Sequence, residues 1–72
     1  METITLYPNP VKQTLNVSGV SQRAVMEIYD MLGRKYMSTA GNSIDVSGLP
    51  KGIYLLRIKE EGNLITKKFI KD

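Results

Sequence analysis

The chain has 72 residues with ten basic and seven acidic side chains, and it contains no cysteine and no histidine. Its length predicts a single domain over residues 1–72, and the missing cysteine and histidine exclude a disulfide and predict no metal site and no cofactor. The net charge of +3 permits an acidic partner without requiring one, and the short apolar runs predict no membrane span.

Hydrophobic and polar residues alternate with a period of two in short segments bounded by Gly, Pro, Asn or Ser, and no window has sustained helical spacing. This pattern predicts an all-β fold, a small antiparallel sandwich of about seven short strands. The predicted strands are residues 3–7, 14–18, 24–30, 34–40, 43–47, 53–59 and 63–72. The side chains expected in the core are Ile4, Leu6, Leu15, Val17, Met26, Ile28, Ile44, Val46, Tyr54, Leu56 and Ile58.

Residues 30–33, Asp-Met-Leu-Gly, have the composition of a hairpin turn. An aspartate at the first position can accept a hydrogen bond from the backbone two residues on. Gly33 at the fourth position tolerates the left-handed conformation that closes a type I turn with a bulge. We therefore assign Gly33 to backbone geometry.

The stretch "GLPKGIY", residues 48–54, could be a phosphate-binding loop or a structural corner. A phosphate loop needs a following helix and more glycines, and neither follows Gly52. In Greek-key sandwiches, a tyrosine at the start of the penultimate strand returns its hydroxyl to the backbone a few residues upstream. We predict this corner here, with Leu49 closing the end of the core, Pro50 and Gly52 setting the turn, and Tyr54 buried.

Catalytic chemistry has little support, and we predict that the domain is not an enzyme. Without histidine or cysteine a nucleophile would need a lysine or a carboxylate pair, and Asp30 and Asp45 read as a turn former and a solvated strand residue. Weak nucleic-acid binding is a further alternative, because tyrosines and Phe69 are interleaved with basic residues. The small net charge and the predicted burial of Tyr54 argue against it.

Four segments together resemble a known family: "LYPNP", "IYDMLGRK", "IDVSGLPKGIYLLRI" and "KKFIK". In this order they are similar to the C-terminal sorting domain of proteins exported by the type IX secretion system, over nearly the whole chain. The matching residues are Tyr7, Pro8, Asn9 and Pro10, then Gly33 and Arg34, then Leu49, Pro50, Gly52 and Tyr54, and finally Lys68, Phe69, Ile70 and Lys71.

The resemblance implies an immunoglobulin-like sandwich that carries an N-terminally fused cargo protein across the outer membrane of a Gram-negative bacterium. The implied partners are the type IX translocon and a sortase-like peptidase. The implied location is the periplasm in transit, and then the cell surface or the medium. The rival hypothesis is a structural immunoglobulin or fibronectin-like module of a surface adhesin. We expect further chain after such a module, whereas this sequence ends directly after its last predicted strand.

The predicted recognition residues are Lys68, Phe69, Ile70 and Lys71 in the terminal strand. Both faces of that strand mix lysine with apolar residues, which predicts an edge strand whose unpaired backbone is open to strand addition by a partner, or to a second copy in a dimer. The alternative is an ordinary edge strand with solubilising lysines. Arg34, beside Gly33, is a further candidate recognition residue, with a solvated strand end as its alternative.

Overall fold

The computed structural model describes residues 4–72, and its secondary structure there is entirely β. Thr3, the predicted first residue of the first strand, lies outside these residues. Within them, no helix is long and apolar enough to cross a lipid bilayer. The strands are β1 Thr5–Tyr7, β2 Thr14–Ser18, β3 Val25–Asp30, β4 Lys35–Ala40, β5 Ser43–Asp45, β6 Gly52–Glu60 and β7 Asn63–Lys71. Each falls where alternation predicts a strand.

The strands form two antiparallel sheets. One has three strands in the order β1-β2-β5, and the other has four in the order β4-β3-β6-β7. In the lettering of the immunoglobulin fold, β2 and β5 take the places of strands B and E, and β3, β6 and β7 those of C, F and G. The prediction of a small immunoglobulin-like sandwich is confirmed.

The core lies between the sheets and is built by the inward-facing residues of the alternating pattern. Every predicted core residue from β2, β3, β5 and β6 is buried, and Leu49 closes one end of the core. Ile4 and Leu6 are only partly buried against it. The buried hydrophobic residues are Val11, Leu15, Val17, Ala24, Met26, Ile28, Ile44, Val46, Leu49, Tyr54, Leu56, Ile58 and Phe69.

Two hairpins complete the four-stranded sheet. The β6–β7 hairpin has a two-residue loop, Glu61 and Gly62, in which both residues have positive φ, as a turn matched to strand twist requires. The β3–β4 hairpin contains a bulge, because Ile28 pairs with Met37 while Tyr29 pairs with Lys35. Tyr36 is the extra residue, and the bulge brings its ring edge-on to Tyr54, with the ring centroids 5.6 Å apart.

After the prolines, the chain moves from one sheet to the other. β1 pairs with β2 as far as Tyr7, and Pro8 and Pro10 have no amide hydrogen with which to continue the ladder. Val11 then forms an isolated parallel bridge with Lys71 of the other sheet. The start of the described chain therefore reaches the terminal strand.

Candidate recognition site

The terminal strand β7 presents its two sets of side chains to different environments. Phe69 is fully buried in the core, and Lys71 on the same face is only 8% exposed. Lys68 and Ile70 lie on the outer face and are exposed. Of the four residues of the terminal strand predicted for recognition, the folded domain therefore offers two side chains, Lys68 and Ile70, to a partner.

The burial of Lys71 is compatible with its charge because of the length of its side chain. Its Nζ donates to the backbone oxygen of Asp72 at 3.0 Å. A lysine can bury its aliphatic stem in this way while its ammonium group reaches a polar partner at the rim.

The last residues of β7 are held by the segment that follows the first strand. The amide of Ile70 donates to Asn9 Oδ1 at 2.9 Å, and the carbonyl of Ile70 accepts from the amide of Val11 at 2.9 Å. The amide of Asp72 donates to the carbonyl of Val11 at 2.8 Å. We call these three hydrogen bonds the latch.

The latch corrects the expectation of an open edge along the whole terminal strand. β7 is an edge strand of its sheet among the described residues. Alternate residues of a strand direct their backbone amides and carbonyls to the same side. The amides and carbonyls of Leu64, Thr66 and Lys68 therefore point away from β6, as those of Ile70 do. The expectation holds at these three residues and is wrong at Ile70, where the latch occupies both backbone groups.

The stretch at residues 48–54 forms the predicted corner. Tyr54, near the start of β6, is buried, and its hydroxyl donates to the carbonyl of Pro50 at 2.6 Å. Its ring stacks on Phe69 with the centroids 5.7 Å apart. Burial raises the pKa of Tyr54.

The turn after β3 is organised by Asp30. Its Oδ1 accepts hydrogen bonds from the amides of Leu32 and Arg34, both at 2.9 Å, and its Oδ2 accepts from Arg34 Nε at 2.7 Å. Gly33 has φ +87°, as the predicted turn requires. The amide of Arg34 is the main cause that lowers the pKa of Asp30, and the guanidinium acts in the same direction. Arg34 thus helps to order the turn through its contacts with Asp30, while its side chain remains 68% exposed.

The segment that carries the latch, the turn after β3, the corner and the end of β7 meet at one end of the sandwich, which we call the motif end. Asp30 pairs with Tyr54, and Tyr54 pairs with Phe69 on the next strand. The residue after Phe69 is the one that the latch holds. Segments that are far apart in sequence therefore form one continuous structure around the last residues of β7.

The outer face of the four-stranded sheet contains a feature that the sequence did not reveal. Glu27, expected to face outward, does so, but it is only 7% exposed because basic side chains cover it. Lys35 Nζ lies 3.2 Å and Lys59 Nζ 3.6 Å from its carboxylate oxygens, and the Tyr29 hydroxyl donates to Oε1 at 3.3 Å. The hydrogen bond from Lys35 is the main cause that lowers the pKa of Glu27.

Other chemistry has few candidate residues. Within residues 4–72 no cluster of three acidic side chains could hold a metal ion. Asp45 is exposed, and its Oδ1 accepts from the amide of Ser47 at 2.9 Å, an interaction that lowers the pKa of Asp45. Tyr54 and Phe69, two of the aromatic residues in the nucleic-acid alternative, are buried and cannot stack on bases.

The two sheets and the end that the motif segments assemble define a small immunoglobulin-like sandwich domain. Comparison with protein families identifies which one. The model of the secretion system C-terminal sorting domain matches residues 5–72, and the chain belongs to this family, the sorting domains of type IX secretion. A search of curated proteins finds no match.

Proposed function

We propose that this domain is the signal by which a larger cargo protein, joined at its N-terminal side, crosses the outer membrane through the type IX translocon. Family membership supports the sorting role and the export of the cargo to the cell surface or the medium. The proposal adds that a translocon component, and then a sortase-like peptidase, bind the folded domain at the outer surface of its terminal strand.

The observation that carries this proposal is the exposure of Lys68 and Ile70 beside a latched backbone. Both side chains are accessible on the outer face of β7, while Phe69 between them fixes the strand in the core. A strand whose backbone is already ordered loses little further backbone entropy when a partner binds it. The motif end therefore supplies a rigid frame for a short recognition sequence.

The test is export of a reporter protein fused to the domain. Lys68→Ala combined with Ile70→Thr changes the two exposed side chains and leaves Phe69 and the latch backbone in place. We expect the amount of surface reporter to fall about tenfold, which corresponds to ~1.4 kcal/mol of lost binding free energy. The reporter should accumulate in the periplasm.

The control is Thr66→Ala, on the same face of the same strand but outside the four motifs. It should be exported like the parent domain. Melting curves establish that both variants are folded. Normal export of the Lys68 and Ile70 variant would mean that the terminal strand is not the recognition sequence.

The adhesin alternative makes a different prediction for the same fusion. A structural spacer would not direct a reporter to the surface, so even the parent domain would leave the reporter in the periplasm.

A further inference from the structure

The net positive charge of the chain is concentrated on one surface. Strand register places Lys35, Arg57, Lys59 and Lys68 on the outer face of the four-stranded sheet, and Glu27 is the acidic residue in their midst. The whole sequence has ten basic and seven acidic residues. Outside this set of five, six basic and six acidic residues remain and cancel. The outer face therefore accounts for the entire net charge of +3.

Three of the four cations on this face are held in position. Lys35 and Lys59 both approach the carboxylate of Glu27 from neighbouring strands. Arg57 lies directly opposite Glu27 in the register, and its guanidinium carbon is 5.4 Å from the centre of the Tyr29 ring. Glu27 is nearly inaccessible, so a partner would meet the positive charges of the lysines rather than the negative charge beneath them.

Exposed apolar residues border the cations on two sides. Toward the motif end, Ile53 and Ile70 pair with each other and are 47% and 45% exposed. Toward the β6–β7 turn, Val25 and Leu64 flank Lys59 in one row across the strands and are also exposed. Apolar area beside charge is typical of protein interfaces.

We propose that the outer face of the four-stranded sheet, centred on Glu27, is a docking surface for an acidic protein partner. Complementary charge would steer that partner to the face, and the apolar borders would contribute burial once it is bound. A nucleic acid fits less well, because the Tyr29 ring on this face already lies beneath Arg57 and is not free to stack on a base. The inference rests on the proposed function only in taking the partner from the export machinery.

The test uses the purified domain and a peptide probe of twelve residues that alternates glutamate and valine. Amide chemical shifts recorded during a titration locate the bound peptide and give its affinity. We expect shifts in β3, β6 and β7, and a marked loss of affinity when the salt concentration is raised.

The face variant is Arg57→Gln combined with Lys59→Gln, which leaves Lys35 on Glu27 and does not touch the terminal recognition residues. Its matched control is Arg23→Gln combined with Lys12→Gln, which removes one arginine and one lysine from exposed positions away from the face. We expect the face variant to bind the probe about tenfold more weakly, and the control to lose less than about twofold.

Equal losses in the two variants would overturn the proposal, because net charge alone would then explain binding. Shifts confined to the free edge at residues 64–68 would also overturn it, in favour of strand addition. Tighter binding of a twelve-nucleotide oligo-dT to the same face would replace a protein partner with a nucleic acid.

The peptide titration does not depend on export, so the two proposals can fail separately. A parent domain that binds the probe on this face but does not export a reporter would refute the proposed function alone. A parent domain that exports the reporter but does not bind the probe on this face would refute the docking surface alone.

Discussion

At the motif end, buried aromatic rings and hydrogen bonds between distant segments hold β6 and β7 together, whereas at the opposite end a two-residue turn joins the same strands. We call that opposite end the turn end. There, Glu60 accepts a hydrogen bond from the amide of Ser21 at 2.8 Å, and the surrounding depression is lined by residues of the turn and of the loop after β2. At the motif end, Asn9 reaches a residue 61 positions away.

The comparison explains what the four motif segments do in the folded domain. Three of the four segments build the frame: Asp30 orders one turn, Tyr54 locks the corner, and Asn9 holds the terminal strand. At the turn end, the two-residue loop depends only on the residues that form it, and many sequences can form such a loop. Substitutions should therefore cost more stability at the motif end than matched substitutions at the turn end.

The largest difference is expected for Phe69. Phe69→Ala leaves a cavity beside Tyr54 in the core and should lower the free energy of unfolding by about 3–5 kcal/mol. Leu64→Ala, near the turn end of the same strand and half-exposed, should change it by less than about 0.5 kcal/mol. Urea denaturation measures both. Similar losses would mean that the two ends of β7 contribute equally to stability.

Gly33 tests whether the turn after β3 depends on backbone conformation. Its φ of +87° is unfavourable for any residue with a Cβ, so Gly33→Ala should cost about 1–2 kcal/mol. Gly48 lies in open space and outside the left-handed region, and Gly48→Ala should be neutral or slightly stabilising. Thermal melts of the two variants make the comparison. A harmless Gly33→Ala would show that the hairpin tolerates another turn.

Tyr54→Phe removes the corner hydrogen bond and keeps the ring. The carbonyl of Pro50 would lose its partner, so the free energy of unfolding should fall by about 1 kcal/mol. Tyr29→Phe is the control, since its hydroxyl bond to Glu27 is longer, at 3.3 Å, and should cost less. If Tyr54→Phe loses no more free energy of unfolding than Tyr29→Phe in denaturant melts, the corner hydrogen bond contributes nothing measurable and only the Tyr54 ring stabilises the domain.

Asn9→Ala opens one hydrogen bond of the latch. Because this bond is exposed, we expect a loss of only about 0.5 kcal/mol in global stability. The amide of Ile70 should nevertheless exchange with solvent faster, while amides in the centre of β6 keep their protection. Asn63→Ala at the turn end is the control. Unchanged exchange at Ile70 would show that the two bonds through Val11 suffice to hold the strand.

Much of the fold could be predicted because alternation within one strand carries the information. Leu15 and Val17, or Leu56 and Ile58, fall on one face in any correct register, and the Leu-Pro-x-Gly-x-Tyr spacing places Tyr54 at a corner. The strands, most of the core and both hairpin turns follow from residues close in sequence.

What could not be predicted depends on contacts between distant segments. The terminal strand mixes lysine and apolar residues on both faces, so only its pairing with β6 shows that Phe69 points inward. Nothing near Val11 in sequence indicates a bridge to Lys71. Glu27 reads as an ordinary solvated residue until lysines from two neighbouring strands cover it.

The smallest effect is expected for Arg34, where recognition and structure can be separated. Its guanidinium binds Asp30, but the carboxylate also accepts two backbone amides, and the amide of Arg34 contributes most to the lowered pKa of Asp30. Arg34→Ala should therefore leave the melting temperature at neutral pH nearly unchanged and reduce only the export of a fused reporter.

The pH dependence of stability tests the same assignment at Asp30. A carboxyl whose pKa is lowered by folding stabilises the domain above its ordinary pKa, 3.8 for Asp30, and this stabilisation is lost as the pH falls through the folded value. Arg34→Ala should keep most of that acid-dependent loss, whereas Asp30→Asn should remove the contribution of this residue. Carboxyl carbon NMR titration follows Asp30 separately from Glu27 and Asp45, whose pKa values are lowered too. A return of the Asp30 pKa to its ordinary value in Arg34→Ala would make the arginine a structural residue first, and any export defect would then reflect a loosened turn.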